Sequence, residues 1–491
     1  MEKNRNFLNR LVACLILGAM LTASVSCGSG SDKQGGSTTP ADGETTSAPE
    51  ETLPTDIPDE LPQKDLGGYN FRIAVEMGDI DKVFVDEQTG SLVNDAVYNK
   101  IRAVEERFNC EISIVEGSGE DTGNGTLIRK LLQANEDSFD IASAHDITIA
   151  NMSLDGYFMN IYDLPYLDFD KPWWPKYTVE SLTFDEQMYI FSNSLSYYNL
   201  TDTRGMFFNK SLLTDLQIEY PYELVKSGKW TFDKFTEMCK QGYRDLNGST
   251  TVDDDDQFGF LHKYFYAWLE CFEDETFVKN GSTLEYKFDL EKNQKIVETI
   301  YSLLTDSSTF TNHSADLSGD TLFANGQGVF IYSELRNAAK TYSQSTVSYG
   351  IVPMPKIDEN QSQYYGAMTD RPYAVPKTAS EHLEETGLII EALSAEGYRK
   401  VFPAYFEQAM KVRYADQNED AEMMDIIYDN VILSFTYMYG NYTAPSSNML
   451  ATLLTAKTPS TDVASYMAKN ETVNVKRCAK ITQFFDEQKN S

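Results

Sequence analysis

Histidine is scarce in this 491-residue chain: there are four, none spaced as a metal-binding pair. The sequence also lacks a G-x-x-x-x-G-K-[ST] loop, a G-x-S-x-G elbow, an H-E-x-x-H pair and a C-x-x-C pair. The motif signatures of phosphate cradles, serine hydrolases, zinc peptidases and thiol redox enzymes are therefore missing. Positive charge is short as well. Lys and Arg number 41 against 75 Asp and Glu, a net −34, which excludes a nucleic-acid binder, because holding phosphates takes concentrated Lys and Arg. The 75 acids make a carboxylate pair at glycosidase spacing easy to reach by chance; the sequence leaves a glycosidase open and points to none. Long hydrophobic runs are missing too. Leu11–Leu21 covers 11 residues, and a helix needs about 20 to span a bilayer. What is present is apolar content of 41%, enough for real cores and against global disorder. Aromatics reach 12%, enough both to fill cores and to line a cleft.

The first 26 residues read as a secretory leader: Lys3, Arg5 and Arg10, then the apolar run, then small residues. Ser24-Val25-Ser26-Cys27 resembles the bacterial lipobox, in which the cysteine becomes the lipid-bearing N-terminus. Ser24 stands where that motif prefers Leu; ordinary cleavage near Ala23–Ser26 is the competing reading. Residues 27–65 are rich in Gly, Ser, Thr, Pro and Glu. They read as a flexible acidic tether that cannot bury a core. Residues 1–26 hold three bases and one acid, so the chain beyond them carries −36, a charge that favours solubility. Apart from Cys14 and Cys27, the cysteines are Cys110, Cys239, Cys271 and Cys478, too few for a disulfide framework. Whether Cys239 and Cys271 pair or stay as buried thiols is open from sequence.

The body reads as α/β. Tyr69–Val75 alternates as a strand. Val93, Val97, Ile101, Val104 and Phe108 share one helix face, and Glu111–Val115 alternates again, making a βαβ unit. A helix over Leu127–Ala134 and a strand over Phe139–Ser143 complete a lobe with a parallel sheet core. A second α/β pattern starts at Met206–Phe208. It continues with a helix at Trp230–Met238 opened by Thr231, a helix at Ile296–Leu304, and strands at Val329–Tyr332 and from Ser348 to the prolines. Leu383–Leu393 reads as a helix, and the chain from Ala395 as mostly helical and aromatic.

Six segments, in order, resemble the extracellular solute-binding proteins of bacterial ABC importers, in particular the maltose-binding-like carbohydrate group. They are Asp140–Asp146, a strand running into a polar loop; Phe207–Leu213, similar to "YNK-x-LL"; and Gly228–Phe235, similar to "TW-x-E-F". Asp256–Phe260, Leu322–Phe330 ("F-x-x-G-x-A-M") and Tyr349–Lys356 ("YG-x-x-P-x-P") follow. The resemblance spans about residues 69–490 and is weakest in the last hundred. It implies a two-lobe periplasmic-binding-protein-like fold with hinge strands and an interlobe cleft. The lobes would be 69–200 plus 346–394 and 205–345 plus 395–490, with crossings at Phe191–Arg204, Ser345–Tyr349 and near Ser394. It implies a lipid-anchored protein on the outer face of the cell membrane that captures a carbohydrate, an oligosaccharide by expectation, through hinge closure and delivers it to ABC permease subunits. A monomer, no catalysis and no cofactor are expected. The alternatives are peptide or polyol cargo within the same class, or a surface carbohydrate-active enzyme or adhesion module.

A sugar pocket needs aromatic faces and hydroxyl-binding carboxylates. By the resemblance the ligand-binding candidates are Asp146, Asp202, an aromatic among Tyr264, Tyr266 and Trp268, then Arg336, Tyr437 and Tyr439. Each has a plain competing role: helix capping for Asp146, a solvated loop acid for Asp202, core packing for the rings. Arg336 departs from the family, which often places an aromatic there. Trp173 and Trp174 read as core or rim. Separately, Asp245, Asn247, Ser249, Thr251, Asp253 and Asp256 fall at positions 1, 3, 5, 7, 9 and 12 of a calcium-type loop. Thr250 replaces the usual Gly and Asp256 the usual Glu; a structural calcium and a solvated acidic turn are the two readings.

Overall fold

The computed structural model describes residues 57–75, 78–116, 125–263, 266–273, 275–311, 317–411, 418–441 and 444–489. The leader, Cys27 and most of the tether lie outside the described residues. The strands are β1 (Tyr69–Val75), β2 (Cys110–Glu116), β3 (Ile141–Ser143), β4 (Arg204–Asn209), β5 (Phe258–Leu261), β6 (Phe277–Asn280), β7 (Thr283–Tyr286), β8 (Thr309–Phe310), β9 (Gly328–Glu334), β10 (Tyr349–Val352), β11 (Gly366–Ala367), β12 (Tyr373–Ala374) and β13 (Val431–Ile432).

The first lobe is built on the sheet β12-β3-β1-β2. β1 runs parallel to β2 and to β3, setting Ile73 against Ile114 and Ile141. β12 joins β3 antiparallel, so one edge departs from the all-parallel expectation. The helix Leu92–Phe108 makes the crossover and buries Val93, Val97, Ile101, Val104 and Phe108, as their spacing predicts. It also buries Lys100, which the apolar pattern does not announce. The Lys100 Nζ donates to the carbonyls of Val83 (2.8 Å) and Leu195 (2.7 Å), and burial pushes its pKa down to about 7. Trp173 and Trp174 are core residues. Their indole N–H groups donate to the two oxygens of buried Glu391, at 2.7 and 2.8 Å.

The tether ends earlier than its composition suggests. Asp59 is 9% exposed and ion-paired to Arg107 (2.7 Å) and Arg399 (3.1 Å). Leu61 is buried, and Asp65 accepts from Asn109 Nδ2 at 2.7 Å. Two arginines far along the chain give this acidic stretch a reason to pack, so the body starts at Asp59.

The second lobe is built on β10-β4-β9-β5-β8. β4 is antiparallel to both β10 and β9, and β5 is parallel to β9 and β8. Met206, Phe208, Trp230, Phe235, Phe260 and Phe330 lie in its core. The helix Phe232–Gly242 starts where Thr231 Oγ1 accepts the Lys234 N–H. Cys110, Cys239, Cys271 and Cys478 are all free thiols.

Two crossings fall elsewhere than expected. Tyr349–Val352 stays in the second lobe, because β10 pairs with β4. The chain returns to the first lobe through Met368, which bridges to Thr203, and then enters β12 beside β3. Ser394 lies inside the helix Leu383–Glu396, which packs on the first-lobe helix Leu92–Phe108 together with the segment that follows. The helix Asn418–Asp429 packs on β10, so the chain re-enters the second lobe after residue 411. A short, fully buried strand reads alike in either lobe, and only its partner strand settles its place.

Candidate functional site

The lobes meet where three backbone segments run side by side. Thr203 pairs with Met368 on one side, and on the other its carbonyl accepts the Leu335 N–H at 2.9 Å. β4 starts at Arg204, β9 ends at Glu334 opposite it, and Thr369-Asp370-Arg371 leads into β12. Charged side chains therefore gather at the seam because strand ends do.

Asp202, 3% exposed, is ion-paired with Arg336 and accepts from Thr369 Oγ1 at 3.4 Å. Arg336 also reaches Glu334 at 3.2 Å. Lys263, just past β5, pairs with Glu334 at 2.8 Å and with Asp320. Burial would raise the Glu334 carboxyl, but the charges of Lys263, Arg204 and Arg336 outweigh it and hold its pKa at about 2. Arg204, 2% exposed, donates to Thr369 Oγ1 at 3.3 Å. On the first-lobe side Arg371 pairs with Asp79 at 2.9 Å, and its guanidinium lies 4.8 Å from the Tyr198 ring centre. Burial raises the Asp79 pKa against the pull of Arg371.

Asp146 opens the helix Asp146–Ser153 just past β3 and is fully buried. Its Oδ1 meets His145 Nδ1 and the Ile147 N–H, and its Oδ2 accepts the Asp370 N–H at 3.4 Å. Burial opposes its ionisation, yet His145 and Arg371 hold its pKa below the usual carboxylate value. Asp146, Asp202 and Arg336 thus belong to the seam. Asp146 is the first residue of its helix, where a negative charge is favoured, but His145 holds the cap position and no side-chain cap bond forms.

The aromatic candidates divide differently. Trp268 is 1% exposed among Phe232, Phe260 and His262, a second-lobe core residue with no cleft face. Tyr439 is fully buried, stacked on Phe435 at 4.4 Å and edge-on to Phe485. Tyr437 is 7% exposed on the same short helix. These rings fill interior space, and Ser434 Oγ, which donates to Glu275, accepts the Tyr437 N–H at the start of their helix. Tyr266 opens the helix Tyr266–Cys271, and Tyr264 lies outside the described residues.

The acidic loop satisfies itself. Asp245 accepts the N–H groups of Gly248 (2.7 Å) and Thr250 (3.0 Å), and Asn247 Nδ2 donates to Asp253. Asp256 accepts from Tyr243 Oη (2.8 Å) and from the Leu246 and Asp253 N–H groups. Ser249 Oγ and Thr251 bond each other. The donors are thus the loop's own, and among the described residues no three His, Cys, Asp or Glu side chains converge on a metal-sized point.

Sequence reading passed over Asp79, Tyr198, Arg204, Lys263, Asp320, Glu334, Asp370 and Arg371. A usable signal was there: Glu334-Leu335-Arg336 closes an apolar strand, and Thr369-Asp370-Arg371 interrupts another.

Solved structures with this architecture are numerous. The sugar-binding protein MalE of Xanthomonas citri matches with a TM-score of 0.58 at 12% identity, over 85% of this chain and 99% of that one. The GacH receptor of Streptomyces glaucescens, solved unliganded and with acarbose, matches at 0.55 and 13%, over 83% and 99%. Maltose-bound MalE3 of T. maritima matches at 0.53 and 14%, over 85% and 100%. The chain has the two-lobe fold of ABC-importer solute-binding proteins. No protein-family model and no curated protein matches the sequence. Among the described residues no helix is long and apolar enough to cross a membrane.

Proposed function

We propose that this protein is a lipid-anchored solute-binding protein. It captures a carbohydrate, an oligosaccharide by preference, between its lobes and delivers it to the permease of an ABC importer. The observation that carries this reading is the seam: carboxylates and guanidinium groups from both lobes meet where three backbone segments run side by side. Such groups accept and donate the paired hydrogen bonds of sugar hydroxyls. Their opposition across a jointed seam makes ligand binding a matter of closure rather than bond making. The fold supports it, since similar proteins were solved with maltose, acarbose or ribitol. Cys27 would carry the lipid, with the segment before Asp59 as the link to the body.

A thermal-shift screen of residues 57–491 tests the reading, with mono- and oligosaccharides, polyols, amino acids and peptides. A ligand at 100 times its dissociation constant adds about 2.7 kcal/mol to stability. A shift with a glycan and no product supports capture for transport. A shift with peptides alone replaces the cargo, and glycan cleavage replaces the function with a hydrolase.

A further inference from the structure

The chain's last passage between the lobes carries a side chain that the ion pairs of the seam leave aside. The helix Phe402–Lys411 packs on the first-lobe helix Leu92–Phe108 and touches the helix Arg336–Lys340, which follows β9 in the second lobe. Arg336–Lys340 also packs on the helix Tyr198–Asp202, to which the Arg336–Asp202 ion pair joins it. Tyr197 stands at the cap of that helix, and its ring centre lies 5.7 Å from that of Tyr405. Next in the chain, Phe406 meets Tyr428 of the second-lobe helix Asn418–Asp429 at 5.2 Å, and the Tyr428 hydroxyl donates to the Leu200 carbonyl at 3.2 Å. Tyr405 therefore sits where four helices from both lobes converge, one of them carrying Asp202 and another Arg336.

Tyr405 is 8% exposed, and its hydroxyl has no solvent contact and no hydrogen-bond partner among the described residues. The ring against Tyr197 explains the packing. It does not explain the oxygen. A phenylalanine would fill the same space, and a buried hydroxyl without a partner weakens a fold that does not use it. Burial, then Tyr197 and Asp202, raise its pKa, while Arg336 opposes them. The hydroxyl therefore stays protonated, a neutral group that can donate one bond and accept others. Asp202 and Arg336 act on it by charge, and neither bonds it.

We infer that Tyr405 is a ligand-binding residue, its hydroxyl bonding a neutral hydroxyl of the captured glycan beside the Asp202–Arg336 pair. This rests on the carbohydrate-capture reading and adds a residue to its site. A glycan hydroxyl donates and accepts at once, so it can bond Tyr405 and a charged neighbour together. The way in follows from the helices. Phe402–Lys411 packs with the first lobe and Arg336–Lys340 with the second. The hydroxyl is thus uncovered when the lobes part and enclosed when they close.

Titration calorimetry tests it with maltotetraose, cellotetraose and β-1,4-mannotetraose, comparing the natural protein with Tyr405→Phe. Thermal melting of both proteins is recorded without glycan. The substitution removes one oxygen that bonds none of the described residues. The expected result is a melting temperature unchanged or raised, with about tenfold weaker binding of whichever glycan binds the natural protein. Equal affinity in the two proteins would overturn the inference and leave carbohydrate capture standing. Weaker binding together with a lowered melting temperature would overturn it too, because the hydroxyl would then support the fold rather than the ligand. Binding of none of the three glycans would overturn the inference together with the reading beneath it.

Discussion

A single carboxylate shows how far apart the chain's residues can be and still depend on each other. Asp59 follows a stretch with almost no apolar residues, yet Arg107 and Arg399 enclose it. Burial raises its carboxyl, but the arginine bonds and the Leu61 N–H outweigh that and lower it to about 2. Set against an unfolded value of 3.8, the difference corresponds to about 2 kcal/mol at neutral pH. The sign follows from the depressed value. Below pH 3.8 the unfolded chain takes the proton first, so this stability is complete above that pH and disappears as pH falls through 2. Asp59→Asn is expected to lower the unfolding free energy by about 2 kcal/mol at pH 7, with the two proteins converging toward pH 2. Urea titrations across that range check it, and equal midpoints at pH 7 would show that the arginines do not need the acid.

Among the elements, the C-terminal helix Val463–Lys489 has the widest reach. Its first turns bury Val463, Tyr466 and Met467 in the second-lobe core. Its last turns set Phe484 and Phe485 against Tyr189 and Phe184 of the first lobe, and the Phe485 carbonyl accepts from Gln187 Nε2 at 3.0 Å. Phe485 is fully buried, so Phe485→Ala is expected to cost about 3–5 kcal/mol. Amide exchange should quicken first in the last two helical turns and in 184–189. Unchanged exchange there would mean that the helix end is not held by this contact. The periodic elements were legible in sequence for the reason this helix was only partly so. The helix Leu92–Phe108 shows one apolar face to one neighbour, and Thr231 announces the helix it caps. The C-terminal helix touches different partners along its length, which blurs its period. The seam was least legible of all. Asp202 and Arg336 were found by likeness, but Arg204 and Asp370 are single polar residues within buried stretches, and their place at the seam depends on strand order. That order was missed at β10, whose sequence fits either lobe.

For the whole molecule, the crossings are not the sole connection between the lobes. Lys279 at the tip of the β6–β7 ribbon donates to the carbonyls of Glu180 (3.0 Å), Ser181 and Thr183 (2.8 Å). These carbonyls end the first-lobe helix Lys176–Leu182, where a helix leaves acceptors unsatisfied and carries partial negative charge. Ser181 Oγ donates to the Leu433 carbonyl, and Arg477 to Asn151. Such contacts join the lobes away from the crossings, and under the proposed closure mechanism they favour the closed form. A ligand that binds the closed form gains apparent affinity in proportion to how much of it is already present. Lys279→Met keeps most of the side-chain volume and removes three bonds. The expected result is a rise in the radius of gyration of the ligand-free protein, by X-ray scattering, above the ~23 Å of a compact chain this long. Affinity for the glycan that gives the thermal shift should weaken in step. An unchanged radius with weaker binding would place Lys279 in the ligand's own site. An unchanged radius and affinity would leave the three side-by-side segments as the whole of the hinge's control.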